Sequence, residues 1–350
     1  MRAHSASLPL SSPPKSICLL RLSAIGDISH TLPILRTIQR AWPETQISWI
    51  IGKTEYELVK DIEEVEFIIF DKKRGLKGYL DIRKRLNGHQ FDLLLHMQMS
   101  IRSSLISLLI DSPIKLGFDR ARAKDWQWLF TNHKIAARER EHVIDSFFGF
   151  TDAIGIGNRV LEWNIPIPKA AQRYAEQQLP GDGKWLIISP CSSMDYRNWL
   201  PERYAAVANY ASEQLGYRVV LTGGNSPIEH QYASEITEAM QSTPINLIGK
   251  SSLKELLAVL KRADVLLAPD SGPAHLATAV GTPVIGLYAC TNPDRARPYL
   301  SGETTINHYP EAVQQKFKTE VTSVKWGERV RDKFAMKLIQ VSDVISVISP

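Results

Sequence analysis

The sequence predicts an α/β fold: two Rossmann-like domains, each a parallel sheet wrapped by helices, facing a central cleft. Three observations carry that expectation. At 350 residues the chain is longer than one hydrophobic core usually supports. Short apolar runs alternate with amphipathic helical segments from end to end, which is the pattern of a doubly wound sheet. The alternation lapses once, at "EWNIPIPKAAQ", where Pro166 and Pro168 stiffen an extended stretch suited to an interdomain linker. Ligands of open α/β sheets bind at the C-terminal ends of the strands, so the cleft is the expected site.

The elements follow in order. "MRAHSASLPLSSPPKS" lacks a continuous apolar region and is broken by Pro9, Pro13 and Pro14, so residues 1–15 read as a flexible lead-in rather than a signal peptide. The first domain, 16–165, contains the strand candidates "SICLLRL", "QISWIIG", "EFIIF" and "FDLLLHM". The second, 166–334, contains "WLIISP", "YRVVLTGG", "INLIG", "DVLLAPD" and "TPVIGLY". These runs are apolar on nearly every residue, as parallel strands covered on both faces should be. In "ERYAAVANYASEQL" the residues Tyr204, Val207, Ala211 and Leu215 recur at helical spacing, and Gly216 follows as a stop signal. In "ADVLLAPDSGPAHLATAVGTPVIGLY" a strand ends at Asp270, Ser271 or Gly272 caps a helix, Pro273 suits its first turn, and Gly281 ends it.

Composition narrows the function classes. Lys plus Arg number 42 against 37 Asp plus Glu, a net charge of +5 that suits an anionic partner: a nucleotide, a phosphorylated glycan, a membrane surface or nucleic acid. No nucleic-acid motif accompanies the excess, so nucleic acid is not expected. Cys18, Cys191 and Cys290 share no close spacing, which fits neither a disulfide framework nor a zinc knuckle and suits a reducing cytoplasm. No apolar run approaches the roughly 18 residues of a membrane span.

Four stretches carry candidate chemistry. "LLRLSAIGDISHTLPILRTIQR" reads as strand, tight turn and helix, where α/β proteins often cradle a phosphate on backbone N–H groups. It holds one glycine, Gly26, and Asp27 follows at once; a carboxylate there would repel a phosphate. Helix capping and proton acceptance both remain open for Asp27. In the second domain Asp270 and His275 stand at a strand's C-terminal end, with the N–H groups of Ser271 and Gly272 beside them. "SPCSSMDYRNWLPERYA" offers Ser192, Ser193 and Arg197 to a diphosphate. "LTGGNSPIEHQYA" places Gly223 and Gly224 after a strand, then Glu229, which either holds ribose hydroxyls or lies on a solvated helix face.

Taken in order, "RLSAIGDISHTLPIL", "SPCSSMDYRNWLPERYA", "LTGG" and "APDSGPAHLATAVGTPVIGLYACTNPDRARPY" resemble glycosyltransferase family 9, the ADP-heptose:lipopolysaccharide heptosyltransferases. The resemblance covers roughly Ser16 to Ile348. It implies a GT-B architecture, with an acceptor-binding first domain, an ADP-heptose-binding second domain, and a C-terminal helix at 335–350 ("FAMKLIQVSDVISVI") packing back toward the first. It implies Asp27 as catalytic base, Ser192, Ser193 and Arg197 on the diphosphate, and Asp270, Ser271, Gly272 and His275 along the donor. Family members often carry lysine where Arg197 stands, and arginine changes the geometry while keeping the charge. One base and a single displacement imply inversion at the anomeric carbon. No D-x-D and no ligand-spaced cluster is visible, so transfer without a metal or other cofactor is expected.

The first domain is rich in base. "DKKRGLKGYLDIRKR" reads mostly as a solvated helix face, while Arg74, Arg102 and Arg120 are the expected contacts to an anionic inner-core acceptor, Kdo or heptose. Trp126 and Trp128 are expected in core packing. The partners implied are ADP-heptose, a lipopolysaccharide inner-core acceptor, and the cytoplasmic face of the inner membrane through peripheral contact. Two other classes stay open: another nucleotide-sugar-dependent GT-B enzyme acting as hydrolase or epimerase, and a non-catalytic sugar-nucleotide binding module.

Overall fold

In the computed structural model, which describes residues 7–348, the chain forms two compact units, 1–166 and 167–350. The first unit holds β1 (Ser16–Leu20), β2 (Gln46–Gly52), β3 (Val65–Phe70), β4 (Leu93–His96), β5 (Ile114–Gly117) and β6 (His133–Lys134). They order as β3-β2-β1-β4-β5-β6, and every pairing is parallel. The second unit holds β7 (Trp185–Ile188), β8 (Arg218–Leu221), β9 (Ile245–Asn246), β10 (Val265–Pro269), β11 (Val284–Tyr288) and β12 (Thr305–Asn307). Their order, β12-β11-β10-β7-β8-β9, is again all parallel. Both orders are the doubly wound arrangement with a reversal in the middle, between β1 and β4 and between β7 and β10. Ligands gather at such reversals.

Burial explains the central strands. Ile17 to Leu20 and all of Val265–Pro269 are buried, as strands covered by helices on two faces must be. Strands β5, β6 and β12 have no counterpart among the predicted runs. β5 carries Lys115, whose ammonium escapes the apolar layer by donating to the Ser107 carbonyl at 2.8 Å. β6 and β12 are two and three residues long, too short for any periodicity to register.

The helix Pro201–Leu215 ends at Gly216 and the helix Gly272–Val280 at Gly281, both with positive φ, as the stop signals require. The C-terminal segment differs from the single helix expected over 335–350. It forms a 3-10 turn, Ala335–Leu338, and a short helix, Val341–Ile345. Between them the Ile339 carbonyl accepts the Trp199 indole N–H at 3.1 Å and the Arg203 guanidinium, which diverts it from helical bonding. Met336, Ile339 and Val344 join the second unit's core around Trp199 and Tyr204. The lead-in is also more firmly held than expected. The Leu10 N–H donates to the Ile154 carbonyl at 3.3 Å, and the Pro14 carbonyl accepts from the Thr45 hydroxyl at 2.7 Å. Residues 1–6 and 349–350 of the expected end segments lie outside the described residues.

Candidate functional site

The first βα turn of the first unit is built around an ion pair. Past β1 the chain continues through Arg21 and Leu22 into the helix Ile25–Ala41. Arg21 is 7% exposed; its guanidinium donates to the Met97 carbonyl at 2.5 Å, lies 5.2 Å from the Phe147 ring centroid, and pairs with Asp27. The N-cap position is Ala24, which has no side-chain acceptor. Asp27, three residues on, fills the gap by accepting the Ala24 N–H at 3.3 Å. Its capping contribution therefore runs backward from inside the first turn, not from the N-cap position. The Asp27 side chain remains 38% exposed against 9% for Arg21, so the acid is the presented member of the pair.

A cavity of about 340 Å³ opens beside this turn, lined by Leu22 and Ser23, by the cations Lys53, Lys72, Lys73 and Arg102, and by the carboxylates Glu55, Glu57 and Asp71, the last paired with Lys53 at 3.3 Å. Gly52 permits its wall: a Cβ there would sit 2.4 Å from the Leu22 carbonyl oxygen. Burial pushes the Glu55 carboxyl upward at its edge. Of the three arginines expected to meet an acceptor, Arg102 lines the cavity. Arg74 is held by Asp81 at 2.6 Å, and Arg120 lies over the Trp128 ring at 4.8 Å. Trp126 and Trp128 are not core residues, as expected from the sequence, but 63% and 40% exposed. The short turn Gln127–Leu129 inverts the pattern, because the amide of Gln127 takes the interior position and donates to the His96 and Gln98 carbonyls. His96 itself is fully buried, its pKa lowered to about 3 mainly by burial, so its ring is neutral.

In the second unit the C-terminal ends of β7 and β10 bring together residues far apart in sequence. Arg197 pairs with Asp270 at 3.0 Å and also donates to its backbone carbonyl at 3.3 Å. His275 Nε2 lies 3.9 Å from the other Asp270 oxygen. Ser271 caps the helix Gly272–Val280 through its backbone, yet its hydroxyl makes no capping bond. Ser271 Oγ and Arg197 Nε are buried polar atoms without a hydrogen-bond partner. Buried donors are rarely left unsatisfied, so these mark a place prepared for an acceptor-rich ligand. The helix N-terminus at Gly272 adds its exposed N–H groups and the positive end of its dipole.

Other expected donor contacts have structural duties. Ser192 donates its hydroxyl to the Met194 carbonyl at 2.8 Å, and its N–H goes to Asn198 at 2.8 Å; both groups serve the loop itself. Ser193 is exposed. Glu229 accepts from the Gly224 N–H at 2.6 Å, the Ser226 N–H at 3.2 Å and the Ser226 hydroxyl at 2.6 Å. It thereby fastens the glycine loop to the helix Pro227–Ala239. A Cβ on Gly223 would press on the tip of the Ile248 side chain at 2.7 Å and on the Glu229 carboxylate at 3.0 Å. Sequence reasoning missed Arg21. A charge ending the apolar run "SICLLRL" was a usable signal for it.

A family model, Glycosyltransferase family 9 (heptosyltransferase), matches residues 79–326. The chain belongs to glycosyltransferase family 9. It is 41% identical over 332 residues, 95% of both chains, to the lipopolysaccharide core heptosyltransferase OpsX of Haemophilus influenzae. A family 9 glycosyl transferase from Veillonella parvula has a similar structure, with TM-score 0.78 over 95% of each chain at 22% identity. The ADP-heptose lipopolysaccharide heptosyltransferase II of Escherichia coli follows with TM-score 0.68, covering 83% of this chain and 89% of that one at 20% identity. At that identity the two structures speak for the fold, which is GT-B. The family to which the motifs pointed is the one that the chain joins, and the chain is a glycosyltransferase.

Proposed function

We propose that this family 9 enzyme transfers heptose from ADP-heptose to the inner core of lipopolysaccharide, with Kdo the favoured acceptor, at the cytoplasmic face of the inner membrane. The observation that carries the reading is the near full-length sequence similarity to a lipopolysaccharide core heptosyltransferase. The acceptor hydroxyl attacks C1 of the heptose, the bond from C1 to the diphosphate oxygen breaks, and ADP leaves with the electron pair. Asp27 takes the hydroxyl proton as the new bond forms. One displacement inverts C1. Arg197, Ser271 and the N–H groups at Gly272 stabilise the charge that grows on the departing diphosphate, as preorganised donors do. Asp270 orients Arg197 and His275 from beneath.

Two features of the chain support this division of roles. The exposed Asp27 is held on an arginine that is itself buried, so the carboxylate faces outward at a fixed place. Lys72, Lys73 and Arg102, the cavity's cations other than the Asp71-paired Lys53, suit an acceptor bearing carboxylates or phosphates, with Arg102 retained in that role.

The test is a transfer assay with ADP-heptose and a deacylated inner-core acceptor. The wild-type protein should form the heptosylated product and retain activity with excess chelator. Asp27→Asn keeps an acceptor for the Ala24 N–H but cannot take a proton at neutral pH. Its turnover should fall about 10²–10⁴-fold, the usual worth of a general base. An active Asn variant contradicts the base assignment; activity lost to EDTA and restored by Mg²⁺ contradicts the metal-free mechanism.

A further inference from the structure

The helices Leu76–Arg85 and Ile101–Ser107 cover the same face of the first sheet. Ile82 from one and Ile106 from the other enter a single core cluster with Cys18, Leu20 and Leu94. Their opposite faces should then be polar. They are not. In the first helix Gly78 and Ile82 are buried, and Leu76 and Leu80, half a turn away, are 83% and 62% exposed. In the second, Ile101, Leu105 and Leu108 recur at i, i+4 and i+7 on the outer side and are 50%, 43% and 60% exposed. The turn carrying Trp126 and Trp128 adjoins this second helix, since Gln127 and Ser103 both donate to the Gln98 carbonyl, at 3.2 and 3.0 Å. Leu129, in the same turn, is 62% exposed.

Isolated exposed leucines need no explanation, but stripes on adjacent helices with two exposed tryptophans do. The charge around them selects the partner. Lys77, Arg83 and Lys84 flank Leu80 on its helix, and Lys72, Lys73 and Arg102 border the two helices at the shared cavity. Leucines and tryptophans on the outer face with lysines and arginines along the margin match a surface that sits in the headgroup layer of an anionic bilayer. No described helix is long and apolar enough to cross a membrane, so contact by this face would be peripheral.

We propose that the outer face of helices Leu76–Arg85 and Ile101–Ser107, with the Trp126–Leu129 turn, docks the enzyme on an anionic lipid bilayer. This deepens the membrane-face location in the functional reading above and rests on it. Apolar side chains enter the interface, the cations hold phospholipid headgroups, and the cavity beside Asp27 is brought to the membrane surface. An acceptor anchored by acyl chains then meets the enzyme by diffusion in two dimensions.

The experiment is cosedimentation of the full chain with vesicles of phosphatidylethanolamine and phosphatidylglycerol, and with pure phosphatidylcholine vesicles. The wild-type protein should bind the anionic vesicles, more weakly as salt rises, and largely ignore phosphatidylcholine. L76S/L80S and I101S/L105S should each lower the partition coefficient about tenfold, given the apolar groups removed. K77E/K84E should lower it and flatten the salt dependence. All three variants should turn over the deacylated acceptor as the wild type does, which separates this proposal from the heptosyltransferase reading. Wild-type protein that stays in the supernatant with anionic vesicles overturns the proposal, as does equal binding by the leucine variants. So does a wild-type dimer, by sedimentation velocity, that L76S/L80S dissolves without any vesicle binding, since the face is then occupied by a second copy. Lost activity on the deacylated acceptor likewise overturns it by moving these helices into the substrate site.

Discussion

Each unit carries an aspartate–arginine pair at the C-terminal end of its sheet, and the two pairs are turned in opposite senses. In the first, Arg21 is the buried partner at 9% side-chain exposure and Asp27 protrudes at 38%. In the second, Arg197 and Asp270 are sunk together at 10% and 13%, and the adjoining Ser271 Oγ is left without a partner; Nε of both arginines is unpartnered. The same two residue types thus present a carboxylate in one place and, in the other, a closed pair beside an unsatisfied hydroxyl. A presented carboxylate suits a proton; unsatisfied donors suit a diphosphate. Which member of an ion pair is exposed decides its chemistry, and residue type alone does not.

The largest effect expected in the second unit is that of Arg197→Ala. Removing one preorganised donor should raise the barrier by about 2.7–4 kcal/mol, on the order of 10²–10³ in turnover. A variant with normal turnover would place Arg197 outside the reaction and dissolve the contrast.

The pH dependence of stability should single out the first unit. His96 is neutral when folded, with a pKa lowered to about 3, whereas the unfolded chain titrates near 6.5. Below about pH 6.5 the unfolded state therefore binds more protons, and stability falls with pH until the folded pKa is reached. His96 alone should contribute up to ~1.4 kcal/mol per pH unit in that window, which urea unfolding at stepped pH can read. His96→Gln should flatten that slope. An unchanged slope would mean that the loss on acidification comes from other groups.

Two smaller effects test the second unit's loops. Glu229→Ala should cost roughly 0.5–2 kcal/mol of stability by removing the reciprocal cap, with melting temperature as the readout. Weakened ADP binding without any loss of stability would return Glu229 to the ribose. Ser271→Ala should leave stability unchanged, because the hydroxyl has no partner to lose. It should weaken ADP by about 0.5–1.5 kcal/mol, the net worth of one hydrogen bond. Unaltered affinity would leave that hydroxyl unexplained.

Much of the fold was legible because parallel strands buried on both faces are written as unbroken apolar runs. What escaped were edge strands such as β6, where two residues leave no pattern, and the C-terminal break at Ile339, which depends on Trp199 more than a hundred residues away. The two candidate carboxylates, Asp27 and Asp270, were legible because strand ends announce themselves. The site was illegible where duty depends on a neighbour. Glu229 and Ser192 have the residue types that a nucleotide site uses, yet their hydrogen bonds serve their own loops. Trp126 and Trp128 look like core residues until Gln127 takes the interior position between them.

The contrast between the two pairs is tested most directly by ADP affinity, measured by isothermal titration on the wild type, Asp27→Asn and Arg197→Ala. If the first unit presents a base and the second an anion site, Asp27→Asn binds ADP as tightly as the wild type while remaining nearly inert. Arg197→Ala then binds ADP about tenfold or more weakly, as expected for a lost charge-assisted bond. Loss of ADP binding in Asp27→Asn, with binding retained in Arg197→Ala, would contradict the account.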